Sequence, residues 1–227
     1  MEAIKEALYL LLSGNPEVYG ITVRTLLVSG VATAAALIVG VPLGYGLAQS
    51  RFPGRTLVLG AMNTGMGMPP VVVGLVIWLL LVRSGPFGGW GIIYTKWAMM
   101  LAQFVIATPL IAGVTAASIQ ALPPEITDLL RVLGASPLRR LWLVCREARL
   151  GLFAALMAAF GAVVSEVGAS MTVGGNLRGD TRVLTTAIVT ETSRGETGTA
   201  LALGIILLGL AFVITLVLTV VQQRQER

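Results

Sequence analysis

Histidine is absent from the 227 residues, cysteine occurs once, at Cys145, and lysine occurs only at Lys5 and Lys96. Each shortage removes a chemistry. Without histidine, and with a single thiol, zinc sites, Ser/His/Asp or Cys/His catalytic groups and disulfide frameworks are excluded or nearly so. Glu6 follows the first lysine and Trp97 the second. Neither is therefore the lysine of a G-x-x-x-x-G-K-[ST] phosphate loop, and the chain does not bind a nucleotide that way. Charge is also short. With 16 basic and 11 acidic residues, 12% of the chain is charged, against about 25% in a soluble domain. Hydrophobic residues make up 56% and the mean hydropathy is +0.86. Such a chain cannot cover itself with charge. Composition excludes an ordinary cytosolic enzyme, a disordered chain and a nucleic-acid-binding domain. The expectation is a membrane protein without catalytic residues, metal site or cofactor of its own.

The few charges divide the chain. Residues 25–50, 56–82, 97–124 and 197–223 carry none, and 150–177 carries only Glu166. Crossing roughly 30 Å of hydrocarbon takes about 20 apolar residues in a helix. Five spans follow, at about 25–50, 56–82, 97–122, 150–173 and 197–221. The predicted fold class is an all-α membrane protein, with one transmembrane domain over 21–227 and a cytoplasmic segment at 123–149. Residues 1–20 contain a short apolar run, Ala7–Leu12, which Ser13-Gly14-Asn15-Pro16 ends too early to span. They read as a short N-terminal helix on the membrane surface, or as one packed against the bundle edge.

Five spans place the termini on opposite sides. With the C-terminus inside, the inner segments 50–55, 123–149 and 222–227 hold nine arginines: Arg51, Arg55, Arg131, Arg139, Arg140, Arg146, Arg149, Arg224 and Arg227. The outer segments hold seven basic residues over a longer length. The density is about double inside, as the positive-inside rule prefers. The expected topology is N-terminus outside and C-terminus cytoplasmic.

Several spans are interrupted. Pro42 sits among Gly40, Gly44 and Gly46, Pro109 lies in the third span, and Asn63-Thr64-Gly65-Met66-Gly67-Met68-Pro69-Pro70 crosses the second. Proline frees backbone carbonyls, which at membrane depth need protein or a wet cavity. The Gly-Met-Gly-Met-Pro-Pro run therefore faces the bundle interior, either as a packing kink or as part of a pathway. Glu166 is the one ionisable residue well inside a span. Two readings stand: a carboxylate bonded to neighbouring backbone or to Ser165 or Ser170, or a gating group. The outer stretch from Gly174 to Gly198, with Arg178 and Arg182, reads as an anion-friendly mouth or as a solvated loop in which Asp180 neutralises one arginine.

The segment from Pro123 to Arg149 carries the most information. Glu125 and Asp128 suit the first turns of a helix, with Leu129, Leu130 and Leu133 as its apolar face. Gly134 ends or bends that helix, and Ser136-Pro137 starts a basic one. Two short helices at the membrane surface form a docking element for a soluble partner.

This segment resembles the EAA loop of ABC importer permeases, whose pattern runs E-A-A, three residues, Gly, and later I-x-L-P. Aligned on Gly134, Asp128-Leu129-Leu130 take the E-A-A positions, and Arg131 through Pro137 follow as in the family. The Leu-Pro ending is missing, because Val144-Cys145-Arg146-Glu147 stand there. Ser13-Gly14-Asn15-Pro16-Glu17, Phe52-Pro53-Gly54-Arg55, Pro69-Pro70-Val71-Val72-Val73-Gly74, Ser165-Glu166-Val167-Gly168-Ala169 and Thr181-Arg182-Val183-Leu184-Thr185-Thr186-Ala187 are similar to the tungstate-type permeases. Those are close to the molybdate and sulfate permeases. That subfamily carries Glu-Ala-Arg, here Glu147-Ala148-Arg149, in place of Leu-Pro.

The resemblance implies a type I ABC importer (MetI-like) permease fold in a bacterial or archaeal inner membrane. It implies a homodimer with ten helices around a central pathway, two separate ATPase subunits that hold ATP and Mg, and an extracytoplasmic oxyanion-binding protein. Tungstate is the expected cargo, with molybdate or sulfate next. Asp128, Leu129, Leu130, Arg131, Gly134, Ala135 and Ser136 would couple to the ATPase. Asn63, Thr64, Met68, Pro69, Glu166, Asn176 and Thr181 would belong to the pathway or its gate. No span carries an arginine or lysine to grip a dianion, so selectivity is expected in the binding protein. The rival reading, an ion-coupled secondary transporter, usually needs several intramembrane charges and often a repeat; the chain has one such charge and no evident repeat.

Overall fold

The computed structural model describes residues 9–10, 14–50 and 52–224, with Arg131 as backbone only. Most of the expected surface helix over 1–20 lies outside the described residues, as do Arg51 and Arg227. The described chain is helical, with no strand.

Helix α1, Pro16–Gln49, starts where its sequence sets a start. Pro16 occupies the first turn, and the Asn15 side chain accepts a hydrogen bond from the Glu17 N–H at 2.9 Å. Its 34 residues rise about 51 Å at roughly 1.5 Å each, well beyond the hydrocarbon thickness. The turns bearing Glu17 and Arg24 therefore project past the charge-free stretch. Helix α4, Lys96–Gln120, lies against α1 along most of its length. The contact is close because Gly44 has no side chain: a Cβ there would stand 2.5 Å from the Ala112 carbonyl oxygen and 2.7 Å from Thr115 Cβ. Small residues at such a crossing let two helix backbones approach. Pro42 sits inside α1 and Pro109 inside α4, neither ending its helix.

Around this pair the other helices gather. Ala36, Ala107, Ile111, Ala159 and Val163 form a core with α7, Arg149–Val164. Val28, Ile77, Met99, Ala169 and Val173 form another with α3, Pro70–Leu81, and α8, Gly168–Gly174. Ile21, Leu184, Ala187 and Leu203 join α1 to α9, Leu184–Ser193, and α10, Thr197–Arg224. Most of α10 is exposed, Leu208, Phe212 and Leu216 included, as suits a lipid-facing helix.

Three helices, α1, α4 and α10, are long and apolar enough to cross a membrane, and two bent pairs, Arg55–Met66 with Pro70–Leu81 and Pro137–Glu147 with Arg149–Val164, raise the number to as many as five. The stretch expected as one span at 56–82 is two helices, α2 (Arg55–Met66) and α3, meeting at 104°. The cause is local. Pro69 and Pro70 cannot donate the backbone bonds that would continue α2, and Gly67 closes it with an N–H to the Thr64 carbonyl at 3.1 Å. The stretch expected at 150–173 is also broken: α7 stops at Val164 and α8 begins at Gly168. Ser165 Oγ bonds back to the Gly161 carbonyl at 2.8 Å, and Glu166 turns to cap the helix that follows.

Candidate functional site

The segment at 123–149 folds as two short helices. Helix α5, Pro124–Val132, has Glu125 in its first turn. Its chain then reverses at Gly134, whose φ is +70°, a conformation open to glycine at little cost. The Ala135 N–H bonds to the Leu130 carbonyl at 3.1 Å and completes the turn. Helix α6, Pro137–Glu147, begins with Pro137 in its first turn and with Ser136 Oγ accepting from the Arg139 N–H at 3.4 Å. The boundary read at Gly134 and Ser136-Pro137 is thus where the structure turns.

The two helices are seated on the bundle by Leu130, Val144, Cys145 and Ala148, which pack with Tyr45, Ile119 and Leu122 at the ends of α1 and α4. Of the expected apolar face, Leu130 points inward, while Leu129 at 58% and Leu133 at 70% exposure point out, beside Val132 at 85%. Asp128 and Ser136 are exposed and Ala135 is half-buried; the Arg131 side chain lies outside what is described. Sequence reasoning missed the joint that ties α5 to the span. Gln49 Nε2, on the last residue of α1, donates to Thr127 Oγ1 at 3.1 Å. Beside it Arg55 Nε donates to the Leu47 carbonyl at 2.8 Å. A cavity of about 800 Å³ opens at this joint, lined by Gln49, Arg55, Gln120, Thr127 and Asp128. Polar residues next to a predicted loop carry no periodicity, so only the fold could pair them.

Asn63, Thr64, Met68 and Pro69 are exposed at the α2–α3 break. These four side chains are thus left open by the chain's own helices, although Gly65 among them packs against Pro109 of α4.

At the other end Glu166 is buried, 7% exposed. Its Oε1 accepts from the Ala169 N–H at 2.5 Å, in the first turn of α8, and its carbonyl accepts from Thr185 Oγ1 at 2.8 Å. Of the partners expected for its carboxylate, neighbouring backbone is the one that bonds to it, through Ala169, rather than Ser165 or Ser170. Asn176, with φ of +50°, donates through Nδ2 to Thr190 Oγ1 at 2.6 Å, and its Oδ1 is buried without a partner. Thr181 is buried; its Oγ1 donates to the Gly174 carbonyl at 2.6 Å and accepts from the Leu177 N–H at 2.8 Å. Asn176 and Thr181 therefore fix the shape of the loop at 175–183.

The loop is tied to α1 by charge. Arg178 pairs with Glu17, Arg182 reaches Glu191 at 3.4 Å and Glu17 at 3.9 Å, and Arg24 bonds to the Arg182 and Gly179 carbonyls at 3.1 and 2.9 Å. Glu17 lies on the projecting end of α1, outside the charge-free span. The hydrogen bond and charge of Arg178 hold its carboxyl below the usual range, with desolvation opposing them and Arg182 and Arg24 adding to the lowering. Asp180, expected to neutralise an arginine, pairs with Lys96 at 3.5 Å instead. Nearby sequence charges are weak guides to pairing when loops fold back over more than a hundred residues. No group of three or more His, Cys, Asp or Glu suited to a metal occurs among the described residues.

The family described as "Binding-protein-dependent transport system inner membrane component" matches residues 40–227. The chain belongs to that family. The permease is 40% identical, over 84% of each chain, to a protein of Haloferax volcanii named "Probable anion ABC transporter permease protein". It is 38% identical to the tungstate uptake system permease protein TupB of Peptoclostridium acidaminophilum, across 98% of this chain and 97% of the relative. Among solved structures it is similar to a chain of the MetNI methionine ABC transporter, with a TM-score of 0.72 and 18% identity over 97% and 98% of the two chains. At that identity the likeness shows the fold, that of a MetI-like type I importer permease.

Proposed function

We propose that this permease is the membrane-spanning subunit of an ATP-driven oxyanion importer, with tungstate as its cargo and molybdate or sulfate as lesser ones. The observation that carries the cargo is the end-to-end likeness to a tungstate uptake permease. ATP and Mg belong to a separate ATPase subunit, two copies to a homodimer of permeases, and an extracytoplasmic protein delivers the anion. The N-terminus lies outside and the C-terminus in the cytoplasm, supported by the arginine density of the 123–149 segment.

On this reading Asp128–Ser136 seats in the ATPase. The exposed Leu129, Val132 and Leu133 supply the apolar contact, and Gly134 sets the turn between the two helices. ATPase closure moves α5, the Gln49–Thr127 joint carries that movement to α1, and the two halves rock as rigid bodies. The second copy covers the exposed α2–α3 break, so that Asn63, Thr64, Met68 and Pro69 line the pathway between them. Their hydroxyl, amide and backbone groups pass an anion without holding it. Glu166, Asn176 and Thr181 shape the outer surface on which the binding protein rests.

Uptake of labelled tungstate into cells expressing the permease, its ATPase and its binding protein tests the cargo. Unlabelled tungstate should compete at lower concentration than molybdate or sulfate. Preferential competition by sulfate would reassign the cargo within the oxyanions and leave the importer reading intact.

A further inference from the structure

Helix α6 has a face that neither the transport pathway nor the α5 turn uses. It leaves α7 at an angle of 79°. Because α7 opens a charge-free stretch that enters the membrane, α6 runs near the membrane plane at the level of the headgroups. Its inner side is filled by Val144 and Ala148 against the bundle. Its outer side mixes apolar and charged residues. Leu138 is 76% and Trp142 59% exposed, and Arg139, Arg146 and Glu147 are exposed beside them. The Arg146 guanidinium lies 5.4 Å from the centre of the Trp142 ring, which orients the charge at the edge of the apolar surface. In the concave angle between α6 and α7 a cavity of about 600 Å³ is lined by Leu143, Arg146, Glu147, Arg149 and Leu150.

A helix with apolar residues, tryptophan and arginine on one open face, lying in the plane of a bilayer, is built for the interface. Its charge selects the occupant. Residues 137–149 hold four arginines and one glutamate, and clusters of cations beside a span attract anionic headgroups. The geometry points to a binding site for an anionic phospholipid in the elbow between α6 and α7. The phosphate lies against Arg146, which lines the cavity, with Arg139 about two turns away on the same helix adding positive charge, the glycerol in the cavity, and the acyl chains along Leu143 and Leu150. Trp142 anchors the helix at the headgroup level. The lipid would hold the base of α6 in place while α5, on the other side of Gly134, moves.

The test uses the full-length permease in nanodiscs of phosphatidylcholine containing a minor fraction of phosphatidylglycerol. Native mass spectrometry should find phosphatidylglycerol retained in preference to phosphatidylcholine. Removing one arginine, as Arg139→Gln or Arg146→Gln, should weaken retention about fivefold, and the double variant further. A second measurement leaves the arginines intact. Four tryptophans report on the bilayer, so the readout is the excess quenching of the native protein by brominated phosphatidylglycerol over brominated phosphatidylcholine, and Trp142→Phe should remove most of that excess. Equal retention of both lipids, or excess quenching that survives Trp142→Phe unchanged, would overturn the proposal. So would protection of Trp142 from acrylamide on adding the ATPase subunit in lipid-free detergent, which would make this face part of the ATPase seat.

Discussion

Gln49 donates a hydrogen bond to Thr127 across 3.1 Å, joining the last turn of the first long helix to the middle of the surface helix α5. The bond spans 78 residues of sequence and is a direct side-chain hydrogen bond between the 123–149 segment and α1, beside the apolar packing of Leu130 and Val144 on Tyr45. Its net worth is about 1 kcal/mol, too little to decide folding but enough to transmit a movement. Gln49→Leu should therefore leave the permease folded and bound to its ATPase while lowering tungstate imported per ATP hydrolysed. Uptake and phosphate release measured together in proteoliposomes give the ratio. An unchanged ratio would remove this bond from the coupling route.

Gly134 makes a sharper test, because open space surrounds it: nothing lies within 4 Å of an added Cβ. The cost of a side chain is then backbone strain alone, about 1 to 2 kcal/mol at a positive φ. Gly134→Ala should weaken ATPase association by about tenfold, whereas Gly134→Asn, which tolerates this conformation better, should lose less. Gly134→Trp should block association outright by filling the docking face. Affinity of the purified subunits in detergent checks the order Gly, Asn, Ala, Trp.

Glu166 separates a gate from a cap. Its oxygen accepts from the Ala169 N–H, and a glutamine oxygen can do the same. Glu166→Gln should transport normally over the whole pH range. Glu166→Ala should lose about 1 kcal/mol of stability with the lost cap. Thermal unfolding of both variants, alongside uptake, distinguishes the roles; a pH-dependent transport defect in Glu166→Gln would restore the gate.

The pair Glu17–Arg178 makes this end of the bundle sensitive to acid. Arg178 lowers the folded carboxyl below its ordinary value, so the unfolded chain binds the proton at a higher pH than the folded one. The stabilisation is therefore complete above the unfolded pKa and is lost as pH falls through the folded one. In thermal melts Glu17→Gln should be less stable than the native chain at neutral pH, and the difference should vanish in acid. Because the pair is exposed, the effect should shrink in high salt.

Gly44 reports on the core. With a Cβ 2.5 Å from the Ala112 carbonyl, Gly44→Val forces α1 and α4 apart, at a cost of about 1 to 3 kcal/mol or more. Size-exclusion profiles should show a destabilised or unassembled permease, while substitution at the unobstructed Gly46 should be tolerated.

Much of this was legible in the sequence because the membrane simplifies the reading. A hydrocarbon slab admits few charges, so the gaps between charged residues located the apolar stretches of α1, α4 and α10. Proline and glycine chemistry located the α2–α3 break and the turn at Gly134. Hydropathy cannot report where an apolar segment bends. It therefore read 150–173 as one span, although Ser165 and Glu166 divert backbone hydrogen bonds there and end α7. Long-range polar pairing was also out of reach. Nothing in the local pattern links Gln49 to Thr127, Glu17 to Arg178 or Asp180 to Lys96, because each pair is made by the way helices return past one another. Glu166 was recognised as exceptional by its isolation, but its role as a cap needed the position of Ala169.

The source of energy is the central claim, and one reconstitution tests it. Permease, ATPase subunit and binding protein are placed in sealed proteoliposomes, with labelled tungstate and binding protein on one face and ATP on the other. Uptake should require ATP and all three proteins, and should continue when ionophores collapse every ion gradient. Tungstate uptake by the permease alone, driven by an imposed ion gradient and indifferent to ATP, would contradict the account.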